Sequence, residues 1–357
     1  MSVPTKLQEP HLARRHRIDK AFEWVCCGST WFGVVVLGML LLSVGWKALT
    51  WPPSKAKLPS SPVATVEATS SSAPLSTRFF SSYDSRKPRE AGILAAIWGS
   101  LWLIVLVALF SVPIGVGSAV YLEEYANDGR LKRIIQVNLS NLAGVPSIVY
   151  ALLGMTAFVK MFGFFTKDEG KSLVINLLFT TVDVPLPFDR TLISGALTLT
   201  LLVLPTVIVA SQEALRAVPS SIRTASYALG ATQWQTIRYQ VVPAAMPGIM
   251  TGVILALSRA MGEAAPLMLI GALTYVAYTP GDITSVSDIF KNPHGLLDAP
   301  FDKFTALPLQ IYQWINHPRA EYAHLAAAGI MVLLTILLLM NTVAIVIRHK
   351  FQKCTRW

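Results

Sequence analysis

Long apolar runs, each close to the length of a membrane span, constrain this chain more than any other feature. They recur along 357 residues, of which 53% are hydrophobic and only 14% are charged. A soluble globular chain carries about 25% charged residues, and about 20 consecutive apolar residues cross the hydrocarbon core of a bilayer. Because the runs are continuous rather than alternating, they favour helices over a β-barrel. The sequence therefore predicts an all-α membrane protein with about six transmembrane helices.

The apolar runs also set the predicted boundaries. The six predicted spans are residues 25–49, 92–120, 137–165, 191–210, 247–276 and 324–347. Between and around them lie a basic tail (1–24), a Ser- and Pro-rich loop expected to be flexible (50–90), two further loops (166–190 and 277–322) and a second basic tail (348–357). The first run is interpreted as an uncleaved anchor rather than a signal peptide, because its apolar core is too long and no small-x-small cleavage site follows it.

The placement of Lys and Arg predicts the orientation of the chain. Basic residues concentrate in both tails and in the segments 121–136 and 211–246, so we expect both termini in the cytoplasm and the loop 50–90 in the periplasm. Arg86, Lys87 and Arg89 depart from this pattern. The net charge of +10 is explained by such flanks. A nucleic-acid partner is not expected, since there is no soluble basic domain with interleaved aromatic residues.

One polar stretch interrupts the apolar chain, and we call residues 211–246 the coupling segment. Ile222, Ala225 and Leu229 have helical spacing, and Gly230 suits the left-handed position after a helix. Thr232 and Gln235 match a capping box that starts a second helix, and Pro243 is expected to end it. This helix, glycine turn and capped helix would hold a fixed angle. The alternative is an amphipathic helix lying on lipid headgroups.

The pattern Thr224-Ala225-Ser226-x-x-x-Gly230, with Pro243 thirteen residues on, resembles the EAA loop of permease subunits of bacterial ABC importers. Thr224 stands where the family has Glu, and Ser226 where it has Ala. In that family the loop inserts into a groove on the ATPase subunit. The resemblance therefore implies that ATPase coupling involves Arg223, Thr224, Ala225, Ser226, Leu229, Gly230 and Pro243.

Further stretches resemble the PstA family of phosphate-importer permeases, namely residues 258–266, 141–150, 229–237 and 90–93. The similarity extends from about residue 79 to residue 347. It implies a type I ABC importer permease fold, with residues 91–347 as the transmembrane domain, in a bacterial inner membrane. The implied partners are a PstB-like ATPase, a PstC-like second permease and a PstS-like periplasmic phosphate-binding protein.

Two charged residues, Arg259 and Glu263, lie within the fifth predicted span. An ionisable group at bilayer depth costs at least ~2.5 kcal/mol on insertion scales, so it marks a candidate functional site. Four residues apart on a helix, they can pair and simply neutralise each other. The functional hypothesis is that Arg259 attracts a phosphate anion and Glu263 accepts a hydrogen bond from its P–OH group, which sulfate lacks. Both residues are therefore assigned to the substrate pathway.

Motifs for other activities are missing from the sequence. There is no GxxxxGK[ST], so ATP hydrolysis is expected from a partner chain. No Ser/His/Asp, Cys/His or paired-carboxylate pattern suggests catalysis, and the three cysteines have no metal-ligand spacing. We expect no catalytic residues, no metal and no cofactor. A permease for sulfate or molybdate, and a membrane scaffold or sensor that docks a signalling protein, stay open as alternatives.

Overall fold

The computed structural model describes residues 9–50, 77–161, 173–177, 180–184, 190–272, 276–284, 288, 295 and 298–354. These ranges are predominantly helical, as the sequence predicts. Five helices are long and apolar enough to cross a membrane, or six if one bent pair counts as a single span. The predicted class, an all-α membrane protein with about six spans, is confirmed. Most of the predicted flexible loop 50–90 lies outside the described residues.

The helices fall into long spans and short connecting elements. The long ones are α1 (Glu9–Leu49), α3 (Leu94–Val120), α6 (Leu192–Arg216), α9 (Val242–Gly262) and α12 (Glu321–Cys354). The short ones are α2 (Thr77–Ser81), α4 (Arg130–Ala143), α5 (Ser147–Gly154), α7 (Ser220–Ala228), α8 (Gln233–Thr236), α10 (Ala265–Ile270) and α11 (Leu307–Ile315). Three stretches are π-helical: Tyr121–Tyr125, Met155–Met161 and Ile237–Val241.

The third predicted span is not a straight helix. Its described residues, 137–161, include the end of α4, all of α5 and the π-helical stretch Met155–Met161, and the chain bends by 104° between α4 and α5. Gly144 ends α4, and Pro146 precedes α5 with extended backbone (φ −57°, ψ 140°). Proline cannot continue the hydrogen-bond ladder and disfavours helix in the residue before it. The sequence 144–146 thus breaks an apolar run that its composition alone suggested was continuous.

A small antiparallel hairpin departs from the all-helical pattern. Strand β1 (Leu173–Leu177) pairs with β2 (Thr180–Val184), with Leu173 opposite Val184 and Leu177 opposite Thr180. The sequence predicts only a loop at residues 166–190, and the five paired residues of each strand lie within it.

Helix α6 forms the centre of the molecule, between α3 and α9. Two-thirds of its apolar window is buried (67%), against none for α1 and 6% for α12. Small residues allow α6 and α9 to approach closely. A Cβ atom at Gly252 would overlap the side chain of Ala210, and one at Gly248 would press on Ala214. Without a hydrophobic driving force between helices in lipid, such backbone approach is a main source of packing energy.

A second core joins the N-terminal segment to α11 and α12. It includes Phe79, Ile93, Leu307, Trp314 and Leu325, each no more than 3% exposed. The sequence predicts that residues 277–322 form a long loop. In the structure, α11 lies within these residues. Leu307, Leu309, Ile311 and Trp314 are buried where it packs against α3 and α12, and this tertiary packing, rather than length, stabilises the nine-residue helix.

Candidate functional site

The coupling segment has the predicted helix, glycine turn and capped helix. Gly230 follows α7 with φ +81°, and its N–H donates to the Tyr227 carbonyl at 2.9 Å. The Gln235 N–H donates to Thr232 Oγ1 at 3.3 Å, and the Thr232 N–H donates to Gln235 Oε1 at 2.9 Å. This reciprocal pair is the capping box that the sequence predicts. The turn between α7 and α8 is therefore fixed at both of its ends.

Pro243 does not end the second helix, contrary to the prediction. The chain continues helically from Gln233 to Gly262 as one 30-residue span. Just before the proline, the Val242 N–H donates to the Ile237 carbonyl, five residues back instead of four. Pro243 then occupies the first turn of α9, where a missing N–H is tolerated. The π-helical turn thus accommodates Pro243 without ending the helix. As a result, the coupling segment continues directly into a membrane span.

Most of the residues assigned to coupling lie on the open surface of the segment. Ala225 and Gly230 are exposed, and Leu229 is 90% exposed. Thr224 is exposed as well, although its hydroxyl donates to the Ser220 carbonyl within α7 at 3.0 Å. A docking partner would meet a surface formed by these residues.

Ser226 has a different position from its neighbours in the segment. Its hydroxyl lies 2.9 Å from that of Thr236, which joins α7 to α8. Ser226 is therefore part of the turn's internal hydrogen bonding.

A groove of about 480 Å³ opens beside Leu229. Its lining residues are Ile222, Ala225, Ser226, Leu229, Ala231, Gln235, Tyr239 and Gln240. Trp234 and Tyr239 are 56% and 63% exposed, and the Arg238 guanidinium lies 6.0 Å and 5.5 Å from their ring centres. Exposed apolar and aromatic side chains concentrated around a groove are typical of a protein-binding surface.

Arg223, also assigned to coupling, is mostly turned inward. Its side chain is 22% exposed and its Nη2 lies 2.7 Å from Glu124 Oε1. The same guanidinium donates to the carbonyls of Val218 at 2.8 Å and Leu215 at 3.0 Å. Leu215 lies in the last turn of α6 and Val218 lies two residues beyond the end of this helix, where a cation is favoured by the unpaired carbonyl groups. Arg223 thus binds other parts of the same chain.

Sequence reasoning missed Glu123 and Glu124, which lie in the π-helical turn Tyr121–Tyr125. Glu123 is paired with Arg216 at 2.6 Å and Glu124 with Arg223. Two consecutive acidic residues directly after a span, in a segment that is otherwise basic from 130 to 133, were the available signal. Their partners lie 93 and 99 residues away, so the sequence does not identify the pairs.

Arg259 and Glu263 pair as predicted, with Arg259 Nε 3.4 Å from Glu263 Oε1. Their side chains are 46% and 22% exposed, so the pair is open to its surroundings. The fifth predicted span, 247–276, is not a single helix, because α9 ends at Gly262 and Glu263 has extended backbone (φ −83°, ψ 111°). Pro266 cannot donate to the Gly262 carbonyl, four residues back, which removes the bond that would continue the helix. The pair thus lies at a helix break.

The surroundings of this break are open on one side. A Cβ atom at Gly262 would meet no atom within 4 Å. The fold does not bring the two candidate sites together, since Arg259 lies sixteen positions after Pro243 on α9. At 1.5 Å per residue this is about 24 Å. A single helix nevertheless connects the coupling segment to the charged pair.

A family model described as "Binding-protein-dependent transport system inner membrane component" matches residues 111–352. The matched region contains the coupling segment, all of α9 and the Arg259–Glu263 pair. The chain belongs to this family. Multi-pass residence in the inner membrane, predicted from the apolar runs and the resemblance, is thereby confirmed, as is the importer-permease class of the fold.

Individual relatives of this inner-membrane component are known in several bacteria. It is 36% identical over 192 residues to a probable ABC transporter permease protein, YqgH, of Bacillus subtilis, covering 54% of this chain and 56% of the relative. It is 34% identical over 228 residues to phosphate transport system permease protein PstA 1 of Mycobacterium tuberculosis, covering 64% and 60%. Over 259 residues it is 30% identical to phosphate transport system permease protein PstA of Yersinia pestis, covering 72% and 73%.

The shared region leaves part of each protein unmatched. The chain spans 56% and 60% of the Bacillus and Mycobacterium relatives. The family match begins within α3, so α1, α2 and the first turns of α3 precede it. Both candidate sites of this chain therefore lie within the residues that match the family.

Proposed function

We propose that this chain is the permease subunit of an ATP-driven phosphate importer, in which it forms half of the translocation pathway. The observation that carries the proposal is its similarity to two proteins named phosphate transport system permease, at 34% and 30% identity. ATP is hydrolysed by a separate PstB-like ATPase subunit. A PstC-like permease completes the pathway, and a PstS-like periplasmic protein delivers phosphate.

The exposed face of the coupling segment, on the cytoplasmic side, is the docking site for the ATPase. Its exposed Leu229, the adjoining groove and the fixed Gly230 turn support this role. Because α8 continues into α9, a displacement of the docked segment is passed along one helix toward Arg259 and Glu263. The helix break at Glu263 is a place where such a displacement can alter the path of the substrate.

Arg259 and Glu263 act on the anion in the pathway. The guanidinium of Arg259 attracts phosphate and can bind two of its oxygens. The carboxylate of Glu263, 3.4 Å from that guanidinium, accepts a hydrogen bond from the P–OH group of the protonated anion. Sulfate at neutral pH has no proton to donate, so the same carboxylate repels it.

The first experiment measures ATP-dependent phosphate uptake into vesicles that contain the assembled transporter, with and without this chain. Loss of uptake on deletion is expected, and uptake that is unchanged would refute the proposal. Arg259→Ala should reduce uptake by at least tenfold. The control is Arg89→Ala, an exposed arginine outside the spans, which should have no effect.

Anion selectivity tests the Glu263 role separately. Glu263→Ala should reduce the preference for phosphate over sulfate, measured as the ratio of the two uptake rates. A transporter that moves sulfate or molybdate better than phosphate before any substitution would instead assign the chain to another oxyanion. Recovery of a signalling protein without an ATPase on purification would favour the scaffold hypothesis.

Docking is tested at the glycine turn. Gly230→Pro removes the N–H that donates to Tyr227 and cannot adopt a φ of +81°. The chain should still insert, but ATP hydrolysis should no longer drive uptake. Gly230→Asn keeps the N–H and tolerates the left-handed conformation, so it should retain most of the activity. Normal uptake by the proline variant would rule out this docking geometry.

A further inference from the structure

The π-helical turn Tyr121–Tyr125 presents two consecutive carboxylates, and each binds a different arginine of the coupling segment. Arg216 donates from Nε to Glu123 Oε2 at 2.9 Å and from Nη2 to Glu123 Oε1 at 2.6 Å. Arg223 donates from Nη2 to Glu124 Oε1 at 2.7 Å. Two-point contacts between guanidinium and carboxylate fix orientation as well as distance. We call these four residues the acidic clamp.

The second half of the clamp is shielded from solvent. The Glu124 and Arg223 side chains are 8% and 22% exposed. Arg223 also binds the carbonyls of Leu215 and Val218, and the Glu124 main-chain carbonyl accepts a hydrogen bond from Gln233 Nε2. One turn of chain therefore contacts the end of α6, the middle of α7 and the start of α8. Loss of one partner would leave a shielded charge without its counterion, which is strongly unfavourable.

The connectivity of the chain gives this contact its significance. The coupling segment contains the end of α6 and the start of α9, whereas α3 is connected to it along the chain only through the elements that lie between them. The carboxylates are continuous with α3, since the helical chain from Leu94 runs unbroken to Tyr125. The clamp is thus a direct polar link between α3 and the surface that would receive the ATPase.

We propose that Glu123 and Glu124 are positioning residues that make α3 move together with the coupling segment when the ATPase acts on it. This inference rests on the proposed function. Without the clamp, α3 follows a displacement of the segment only through its apolar packing against α6 and α9, so hydrolysis continues while transport per ATP decreases. Glu213, on α6, also faces the Arg216 charge.

The experiment uses the assembled transporter with Glu124→Gln, Glu123→Gln and Arg216→Gln. Each should keep ATP hydrolysis and lower the ratio of phosphate transported to ATP hydrolysed by about tenfold. Because Glu123 and Arg216 act as one pair, the double variant should be no worse than either single variant. Asp128→Asn is the control, since it removes an ion pair with Lys132 that lies outside the clamp and in which the Asp128 side chain is 96% exposed. An unchanged ratio in the clamp variants would overturn the proposal.

A second measurement does not depend on the identity of the substrate. Spin labels at Gly117 on α3 and Ser221 on α7, in a chain with Cys26, Cys27 and Cys354 replaced by Ser, report the distance between the two elements. This distance should stay constant between the ATP-free and vanadate-trapped states of the otherwise wild-type protein, and should change in Glu124→Gln.

The outcomes separate the two proposals. If the wild-type transporter takes up no phosphate, the proposed function fails, and the label distance alone decides the clamp. If the label distance changes equally with and without the clamp, the clamp does not couple α3. If the Gln variants at Glu123 and Arg216 fail to insert or to assemble with the ATPase, the role is purely structural and the proposal is also overturned.

Discussion

Gly99 on α3 lies directly against the main-chain carbonyl of Thr305, so that a methyl group at residue 99 would overlap this oxygen. The next residue, Ser100, accepts a hydrogen bond through Oγ from the N–H of Leu307 at 2.8 Å. These neighbouring contacts hold the first residue of α11 on α3. A helix embedded in a long connecting segment is thereby fixed by backbone approach.

Gly99→Ala should therefore destabilise the protein. The added methyl group cannot be accommodated without shifting backbone, and overpacking of this kind costs about 1–3 kcal/mol. Gly117→Ala, on the same helix with no atom within 4 Å of its Cβ position, is the matched control. Thermal unfolding in detergent should show a lower midpoint only for Gly99→Ala. Equal midpoints would show that α11 shifts freely on α3.

The bend between α4 and α5 should depend on Tyr150. Its hydroxyl donates to the Leu142 carbonyl at 2.9 Å, across the break at Gly144. Tyr150→Phe removes this bond, which contributes about 0.5–1.5 kcal/mol, and should increase amide hydrogen exchange around the bend. Tyr121→Phe, which changes a side chain that is 60% exposed, should leave amide hydrogen exchange around the bend unchanged. Unchanged exchange in Tyr150→Phe would mean that packing alone holds the angle.

The capping box gives a graded prediction at Thr232. Thr232→Ala removes the acceptor for the Gln235 N–H and should destabilise the start of α8 by about 0.5–2 kcal/mol. Thr232→Ser keeps the oxygen and should be close to wild type. Local hydrogen exchange between residues 232 and 241 measures the difference. If the Ala and Ser variants exchange alike, the cap does not stabilise this turn.

The stability of the folded protein is expected to depend on pH through Asp84, which lies outside the membrane spans. Burial raises the pKa of this carboxyl above its ordinary value of 3.8, against the opposing effect of a hydrogen bond from Trp314 and of the nearby His317. A raised pKa in the folded state means that folding favours the protonated form. This contribution to stability is complete below the unfolded pKa and is lost as the pH rises through the folded pKa.

Asp84→Asn does not titrate and can still accept from Trp314 Nε1, which lies 3.2 Å from Oδ1 of the carboxyl. Its unfolding midpoint relative to wild type should therefore rise as the pH increases from about 4 toward neutrality. Asp128→Asn should give a small change of the opposite sign, because a hydrogen bond from Lys132 lowers the pKa of Asp128. A difference in unfolding midpoint between Asp84→Asn and wild type that does not change with pH would contradict this explanation.

Local patterns determined the class of protein and much of the coupling segment. The apolar runs give the approximate number of spans, because bilayer thickness fixes how many apolar residues a helix needs. The turn at Gly230 and the cap at Thr232 were predictable for a related reason, since each depends on residues only two or three positions away. The i,i+4 pair of Arg259 and Glu263 has the same local origin.

The tertiary structure decided what local patterns leave open. Composition does not distinguish a straight span from the 104° bend of α4 and α5, nor does it show that Pro243 is absorbed by a π-helical turn. From the sequence alone, Arg223 would be expected to be free to bind a partner. In the folded chain its guanidinium is instead paired with Glu124, 99 residues away, and is largely shielded from solvent. The physical reason is that a turn or a cap depends on neighbours along the chain, whereas a shielded ion pair depends on which helices pack together.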